Sequence, residues 1–361
     1  VAENDTGSEE DVGAIDLLIK GSWVETILYE IPLLALTSEA YFRFMDRDWT
    51  YDGQEEKAYG KGMRLLEAGC IVSEFGTRRR RDYHTQALVF RGLVKAKKEG
   101  EKTGLPGKIS GTSNVHLAMR FGIPPVGTVA HEWFMGVAAI TGDYENATRT
   151  ALSYWVGCFG EGVLGIALTD TFGTPAFLRA FREPLPEPIT VTPGATASGT
   201  VVQEREKRKT KTFAEVFTGV RQDSGDPAQF VKIMREFYDK EGITEKKTIV
   251  FSDSLNIDLC LQYKKISEEA GFLSTFGVGT FFTNDFVHNS TGKKSVPLNI
   301  VIKLSSAAGN SAVKISDNIG KNTGDKETVE KVKRELGYVE KDWKQGDETK
   351  RWGNEDDVAK N

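Results

Sequence analysis

The chain has 361 residues, of which 39% are hydrophobic and 27% charged, the balance of a soluble globular protein with a large core. Its net charge of −5 excludes a global basic field for nucleic acid, so any anion site has to be local. No window approaches the roughly eighteen apolar residues of a membrane span. The three separated cysteines, Cys70, Cys158 and Cys260, argue for reduced, buried thiols over disulfides or zinc.

Residues 1–14 are acidic and polar, and read as a disordered tail that is neither a signal peptide nor a natural start. Ala14 to Lys20 reads as a strand. Val24 to Arg47 is a long apolar helical segment that Pro32 should kink or split. Gln54 to Glu67 is an amphipathic helix closed by Gly69. Strand-like and helical runs then alternate: strand 70–75, helix 83–99, strand 108–111, helix 115–121, strand 126–130, helices 133–140 and 145–159. The pattern continues with strands 164–170 and 217–221, helix 227–238, strand 248–253, helix 257–270 and strand 273–277. Such alternation predicts a parallel sheet with crossover helices, and near seven units without an evident order reversal favour a closed barrel over an open sheet. Residues 184–211, rich in proline, glycine and threonine and ending in a basic run, read as a surface insertion. A hairpin around Ala308-Gly309-Asn310, a charged helix from Thr328 to Leu336 and a polar tail complete the chain.

The strand ends carry the chemistry. They read SEFGTRR, ISGTSN, GTVAHE, LTDTFG, VRQDSGD, FSDSLN and FGVGT, each closing an apolar run with polar or glycine residues. If the strands are parallel, these groups meet on one rim. Of the four histidines, His131 alone is placed at a strand tip; His84 and His116 fall on helices and read as structural. Asp170, on the next strand, could orient the His131 ring. The run Arg78-Arg79-Arg80-Arg81 is a solvated loop in its bland reading. Because it follows a strand and shares a rim with Arg221, it suggests an anionic substrate. Gly277-Val278-Gly279-Thr280 could surround a phosphate with freed amides, although most such glycine pairs are turns. Asp223-Ser224-Gly225-Asp226 and Ser252-Asp253-Ser254 suit ribose hydroxyls or hydrated Mg²⁺, with helix capping as the plain alternative.

Taken together, the segments GSW-ETILYEIPLL, EFGTRRRR, GTSN, GTVAHEW, ALTDTFGT, GVRQDSGDP, SDSLN, TFG-GT-FTNDF, PLNIVIKL and KISDN resemble the nicotinate phosphoribosyltransferases, the fungal forms in particular. The resemblance runs from about Ile15 to Trp352. It implies an irregular type II phosphoribosyltransferase α/β barrel (residues 36–300), with residues 15–35 a remnant of a second, α+β domain and 301–361 a C-terminal hairpin, helix and tail. The implied reaction joins nicotinate to 5-phosphoribosyl 1-diphosphate (PRPP), yielding nicotinate mononucleotide and diphosphate with ATP hydrolysis, in NAD biosynthesis. His131 would be the residue transiently phosphorylated by ATP and Asp170 its orienting carboxylate. Nicotinate would meet Phe75, Arg78, Ser113, Thr128 and Arg221. PRPP would meet Asp223, Ser252, Asp253, Gly277, Gly279 and Thr280, with Mg²⁺ held mainly through the diphosphate. A serine at 113, where nicotinamide-specific relatives carry aspartate, favours the acid over the amide. A homodimer with shared sites and a cytoplasmic location, with the nucleus as a second compartment, are further implications. The family's N-terminal region, including an Asp-x-Tyr-Lys motif, is absent here. That keeps two rivals in view: an enzyme of the same scaffold acting on nicotinamide or quinolinate, and a truncated non-catalytic interaction protein.

Overall fold

A computed structural model describes residues 17–186, 210–318 and 322–338. Two helices open it, α1 (Trp23–Thr26) and α2 (Glu30–Phe44), followed by α3 (Gln54–Glu67). The break falls at residues 27–29 and Pro32 sits inside the first turn of α2, where its missing N–H costs nothing. Residues 17–20 form no strand, and 14–16 lie outside the described residues.

The main body then runs β1 (Ile71–Glu74), α4 (Tyr83–Thr103), β2 (Lys108–Thr112), α5 (Val115–Phe121), α6 (His131–Thr141), α7 (Ala147–Phe159) and β3 (Ile166–Leu168). It continues through α8 (Thr174–Phe181), α9 (Phe213–Val216), β4 (Gly219–Gln222), α10 (Pro227–Lys240), β5 (Thr248–Phe251), α11 (Ile257–Glu269), β6 (Leu273–Val278) and α12 (Thr280–Thr283). Two small antiparallel pairs, β7 (Phe286–Val287) with β8 (Lys294–Ser295) and β9 (Ser306–Ala307) with β10 (Asn310–Ser311), precede α13 (Lys326–Leu336).

The six main strands are parallel in the order β2-β1-β6-β5-β4-β3. Each step along the chain moves one place in the same direction, and β1 pairs with β6. This is the cyclic order of an α/β barrel, not the reversal of a doubly wound sheet. The ring has one seam, between β2 and β3.

The expected seventh strand, 126–130, belongs at that seam and does not form. Pro124 and Pro125 have no N–H to give a ladder. What remains is a parallel bridge between Thr112 and Pro125, with Thr112 N donating to Pro124 O (3.1 Å) and Val126 N to Thr112 O (2.8 Å). Gly111 permits that approach, because a Cβ there would lie 2.2 Å from Pro124 O. The barrel is therefore irregular where the sequence expected a regular unit.

Between sheet and helices lies one apolar core, including the stacked pairs Phe251–Phe276 and Phe181–Phe237. Cys70 and Cys260 are buried in accord with expectation, whereas Cys158 is exposed; none is in a disulfide. Residues 17–35, the described part of the expected remnant 15–35, are tied to the barrel by Trp23, which stacks on Trp133 at 5.8 Å and donates to Glu132 Oε1 (2.7 Å). Residues 187–209 of the expected insertion lie outside the described residues. The chain leaves and returns at one point, with Leu185 N donating to Lys211 O (2.9 Å).

Candidate active site

The strand ends do meet on one rim, because the ladder registers align them. Glu74 pairs with Thr112 and with Val278, so Phe75, Ser113 and Gly279 are the next residues out on β1, β2 and β6. Likewise Gln222 pairs with Phe251, which sets Asp223 beside Ser252.

His131 is on that rim but not at a strand tip. It is the first residue of α6, buried, and follows the irregular 126–130 segment. Its Nε2 lies 3.0 Å from Asp223 Oδ2 and its Nδ1 3.0 Å from Thr171 Oγ1. Asp170, the expected orienting carboxylate, is 3.7 Å from Nε2 and makes no hydrogen bond to the ring. Its Oδ2 accepts the Ser224 hydroxyl and faces Lys314 Nζ at 3.7 Å, while its Oδ1, the atom nearest the ring, is buried without a hydrogen bond among the described residues. The hydrogen-bonding carboxylate is thus Asp223, expected from the sequence to touch PRPP. Strand β3 ends at Leu168, two residues short of Asp170, which turns that side chain toward Ser224 and leaves the shorter reach to β4.

Arg221 binds this centre together. Its Nε donates to Ser252 Oγ (2.8 Å), Nη1 to Thr128 Oγ1 (3.0 Å) and Nη2 to Asp223 Oδ1 (2.8 Å). Ser252 Oγ also donates to Asp223 Oδ1 (2.6 Å). Three of the five guanidinium donors are engaged in these bonds, leaving two N–H groups for a ligand.

The electrostatics follow from burial and these partners. Burial first, and Lys314 second, push the His131 ring down to about 4, against the pull of Asp170 and Asp223. The helix N-terminus also disfavours a charged ring. Burial works against Asp223, yet Arg221 and the His131 bond hold it well below the usual carboxylate range. Asp170 is likewise held low despite burial, through His131, Lys314 and the Ser224 hydroxyl. At neutral pH the centre is a neutral imidazole between ionised carboxylates and two cations. His131, Asp170 and Asp223 place donor atoms within 4.8 Å of one another, close enough for a metal ion. Lys314 and Arg221 already match both carboxylates, so the set fits a proton network better than a metal centre.

The other expected residues divide. Phe75 covers Gly277, where a Cβ would lie 2.5 Å from its ring, so that glycine is required by packing. Gly279 precedes Thr280, the first residue of α12, as a phosphate loop needs. Ser113 is exposed, with its N–H on Glu74 O (3.0 Å), and Asp253 is half-buried. The arginine run is corrected. Arg79 and Arg81 are buried, and Arg79 Nε donates to Ile300 O (3.2 Å). Arg81 sits over Phe42 (3.6 Å) and Phe286 (4.2 Å), while Arg80 bonds Gln86 (3.1 Å). Arg78 keeps the most open side chain of the four, with its guanidinium 3.9 Å from Glu30.

Several members of the site had no signal in the sequence. Thr171 is a hydroxyl beside Asp170, and Ser224, read only as part of an acidic turn or as a cap, bonds Asp170. Lys303, half-buried beside Glu30 (3.8 Å), and the buried Lys314 come from the C-terminal segment, to whose lysines the sequence pattern assigned no role. Glu74 is buried and accepts from Gly76 N (2.6 Å), Gln86 Nε2 (3.0 Å) and Thr112 Oγ1 (2.7 Å), which fixes the turn carrying Phe75. A glutamate ending an apolar run could have been flagged as a buried anchor.

Comparison with known proteins gives a consistent picture. The model of the nicotinate phosphoribosyltransferase (NAPRTase) family matches residues 70–191 and 192–340. A nicotinate phosphoribosyltransferase of Saccharomyces cerevisiae is 46% identical over 341 residues, 94% of this chain and 73% of that protein. One from Methanosarcina mazei is 38% identical, over 87% of this chain and 71% of that one. The S. cerevisiae crystal structure superposes with a TM-score of 0.78, covering 88% of this chain and 70% of its own. That of the Porphyromonas gingivalis enzyme gives 0.72 at 32% identity, covering 88% and 72%.

Proposed function

The chain belongs to the nicotinate phosphoribosyltransferase family, and we propose that the network centred on His131 couples its reaction to ATP. It is a nicotinate phosphoribosyltransferase, an enzyme of NAD biosynthesis that joins nicotinate to PRPP. Breaking the bond at the ribose anomeric carbon builds positive charge on the sugar and negative charge on the departing diphosphate. A rim that pairs Asp223 with Arg221, and Asp170 with Lys314, suits that separation.

The carrying observation is a buried imidazole held between Thr171 and Asp223, with Lys314 and Arg221 close by; burial first, then Lys314, favours its neutral form. Such a ring offers a lone pair to the γ-phosphorus of ATP. The N–P bond forms as the bond to the β-phosphate oxygen breaks, and ADP leaves with that electron pair. Arg221, Lys314 and Lys303 would hold the phosphates. Phe75 would stack on the pyridine ring, and Arg221, Thr128, Ser113 and Arg78 would meet nicotinate or the groups beside it. Gly277, Gly279 and Thr280 would hold the PRPP phosphate, and Ser252 and Asp253 its ribose. Mg²⁺ would be held mainly through the diphosphate, where it would supply charge neutralisation.

A homodimer with shared sites is part of the proposal. The exposed Leu18, Val24, Leu28, Phe44 and Met45 in the first described segment support it. A cytoplasmic location is proposed too; among the described residues no helix is long and apolar enough to cross a membrane. The test is formation of nicotinate mononucleotide from nicotinate and PRPP, with and without ATP. ATP should raise the yield. Product from nicotinamide or quinolinate instead of nicotinate, or no product at all, would favour the rivals.

A further inference from the structure

We propose that Thr171 is a positioning residue that lets His131 exchange between its two neutral tautomers. Thr171 follows Asp170 after β3 and is buried. Its carbonyl accepts Ile315 N (2.8 Å), which pins the backbone and leaves the hydroxyl free only to rotate. That hydroxyl lies 3.0 Å from His131 Nδ1.

The two sides of the ring are unlike. Nε2 faces Asp223, whose Oδ1 already accepts from Arg221 and from Ser252. An ionised carboxylate has no proton to donate, so the hydrogen bond at Oδ2 requires the ring proton on Nε2. The lone pair of the resting ring is then on Nδ1, where it accepts the Thr171 O–H. Nδ1 is closed in by that buried threonine. Nε2 is on the side of the partly exposed Asp223 and of Arg221, where substrate phosphate would approach.

For Nε2 to attack phosphorus, the proton has to be on Nδ1. This step rests on the phosphohistidine reading above. The exchange moves one proton from Nε2 to Nδ1 and leaves the net charge unchanged. In the second tautomer Nδ1–H needs an acceptor, and the same hydroxyl supplies it by turning. A carboxylate at this place could not donate to the resting ring, and a methyl group could do neither. A hydroxyl serves both states.

The experiment joins a spectroscopic arm to a kinetic one. Nitrogen NMR of histidine-labelled protein at neutral pH, with His131→Gln to assign the signal among four histidines, should show a neutral ring protonated at Nε2. A ring protonated at Nδ1, or on both nitrogens, overturns the proposal, and this arm holds whether or not a phosphoenzyme forms. In the kinetic arm, Thr171→Val leaves Nδ1–H without a partner and should slow phosphoenzyme formation by roughly 10- to 100-fold. The KM for nicotinate should move less than about twofold, and Thr171→Ser should recover all but a few-fold of the rate. An unchanged rate in Thr171→Val, or Thr171→Ser as slow as Thr171→Val, also overturns it. Absence of phosphoenzyme in the unmodified protein would count against the phosphohistidine reading instead.

Discussion

Two basic regions share the rim of this barrel and do opposite work. The Arg78–Arg81 run is the denser in sequence. In the structure two of its four guanidinium groups are buried, and Arg81 is wrapped by Phe42, Trp49 and Phe286 with Asp46 at 3.9 Å. Burial pushes Arg81 down to about 10, and its charge locks α2 and the β7–β8 hairpin onto the turn after β1. Arg221 stands alone in sequence, yet it ties Thr128, Ser252 and Asp223 into the His131 centre and keeps donors for a ligand. Density of charge marked a structural clamp. Position at a strand end, beside a carboxylate, marked the residue that ties the proposed site together.

That contrast can be broken by substitution. Arg221→Lys keeps the charge but loses the three-way fork, and should lower kcat/KM for nicotinate by about 10²- to 10³-fold with little change in Tm. Equal losses of activity and stability would erase the distinction. Arg81→Met should do the reverse. It leaves Asp46 facing only His288 and Ser295, and should cost about 3 kcal/mol in denaturant unfolding while activity per folded molecule holds. Ser113→Asp sharpens the assignment of the substrate carboxylate to this side of the rim. Nicotinate use should fall about tenfold and nicotinamide use rise, measured as kcat/KM for each; unchanged values for both would remove Ser113 from the pocket.

A further effect is a pH dependence. His131 is held at about 4 in the folded chain against 6.5 in the reference state. Between those values the unfolded chain binds the proton and the folded chain does not, so stability rises with pH through that window. The contribution is fully present above 6.5 and is lost as pH falls through 4. His131→Gln should flatten this part of the unfolding profile. An identical slope in that variant would mean that the ring is not desolvated as described.

The rim was legible because each strand ends an apolar run with a polar cluster, and parallel pairing makes such ends converge. The short helix Val115–Phe121 and its Gly122 terminus were equally plain, since apolar spacing and a left-handed glycine agree. Misplacing His131 came from reading 126–130 as a strand when two prolines precede it. Helix α8 was missed although Pro175 stands in its first turn, a usual helix-start signal. Thr171 and Lys314 stand inside quoted segments, but their roles beside His131 and Asp170 could not be found by pattern. A threonine after an aspartate and a lysine in a C-terminal segment gain meaning only when the chain folds back against the rim, through Ile315 N on Thr171 O.

The central claim is that His131 accepts phosphate from ATP. Its most direct measurement is transfer of label from γ-labelled ATP to the purified chain, in the unmodified protein and in His131→Ala. The account predicts an acid-labile, base-stable phosphoenzyme in the first and none in the second, with ATP-independent transfer surviving slowly in that variant. Equal labelling of both proteins, or undiminished ATP hydrolysis by His131→Ala, would contradict it.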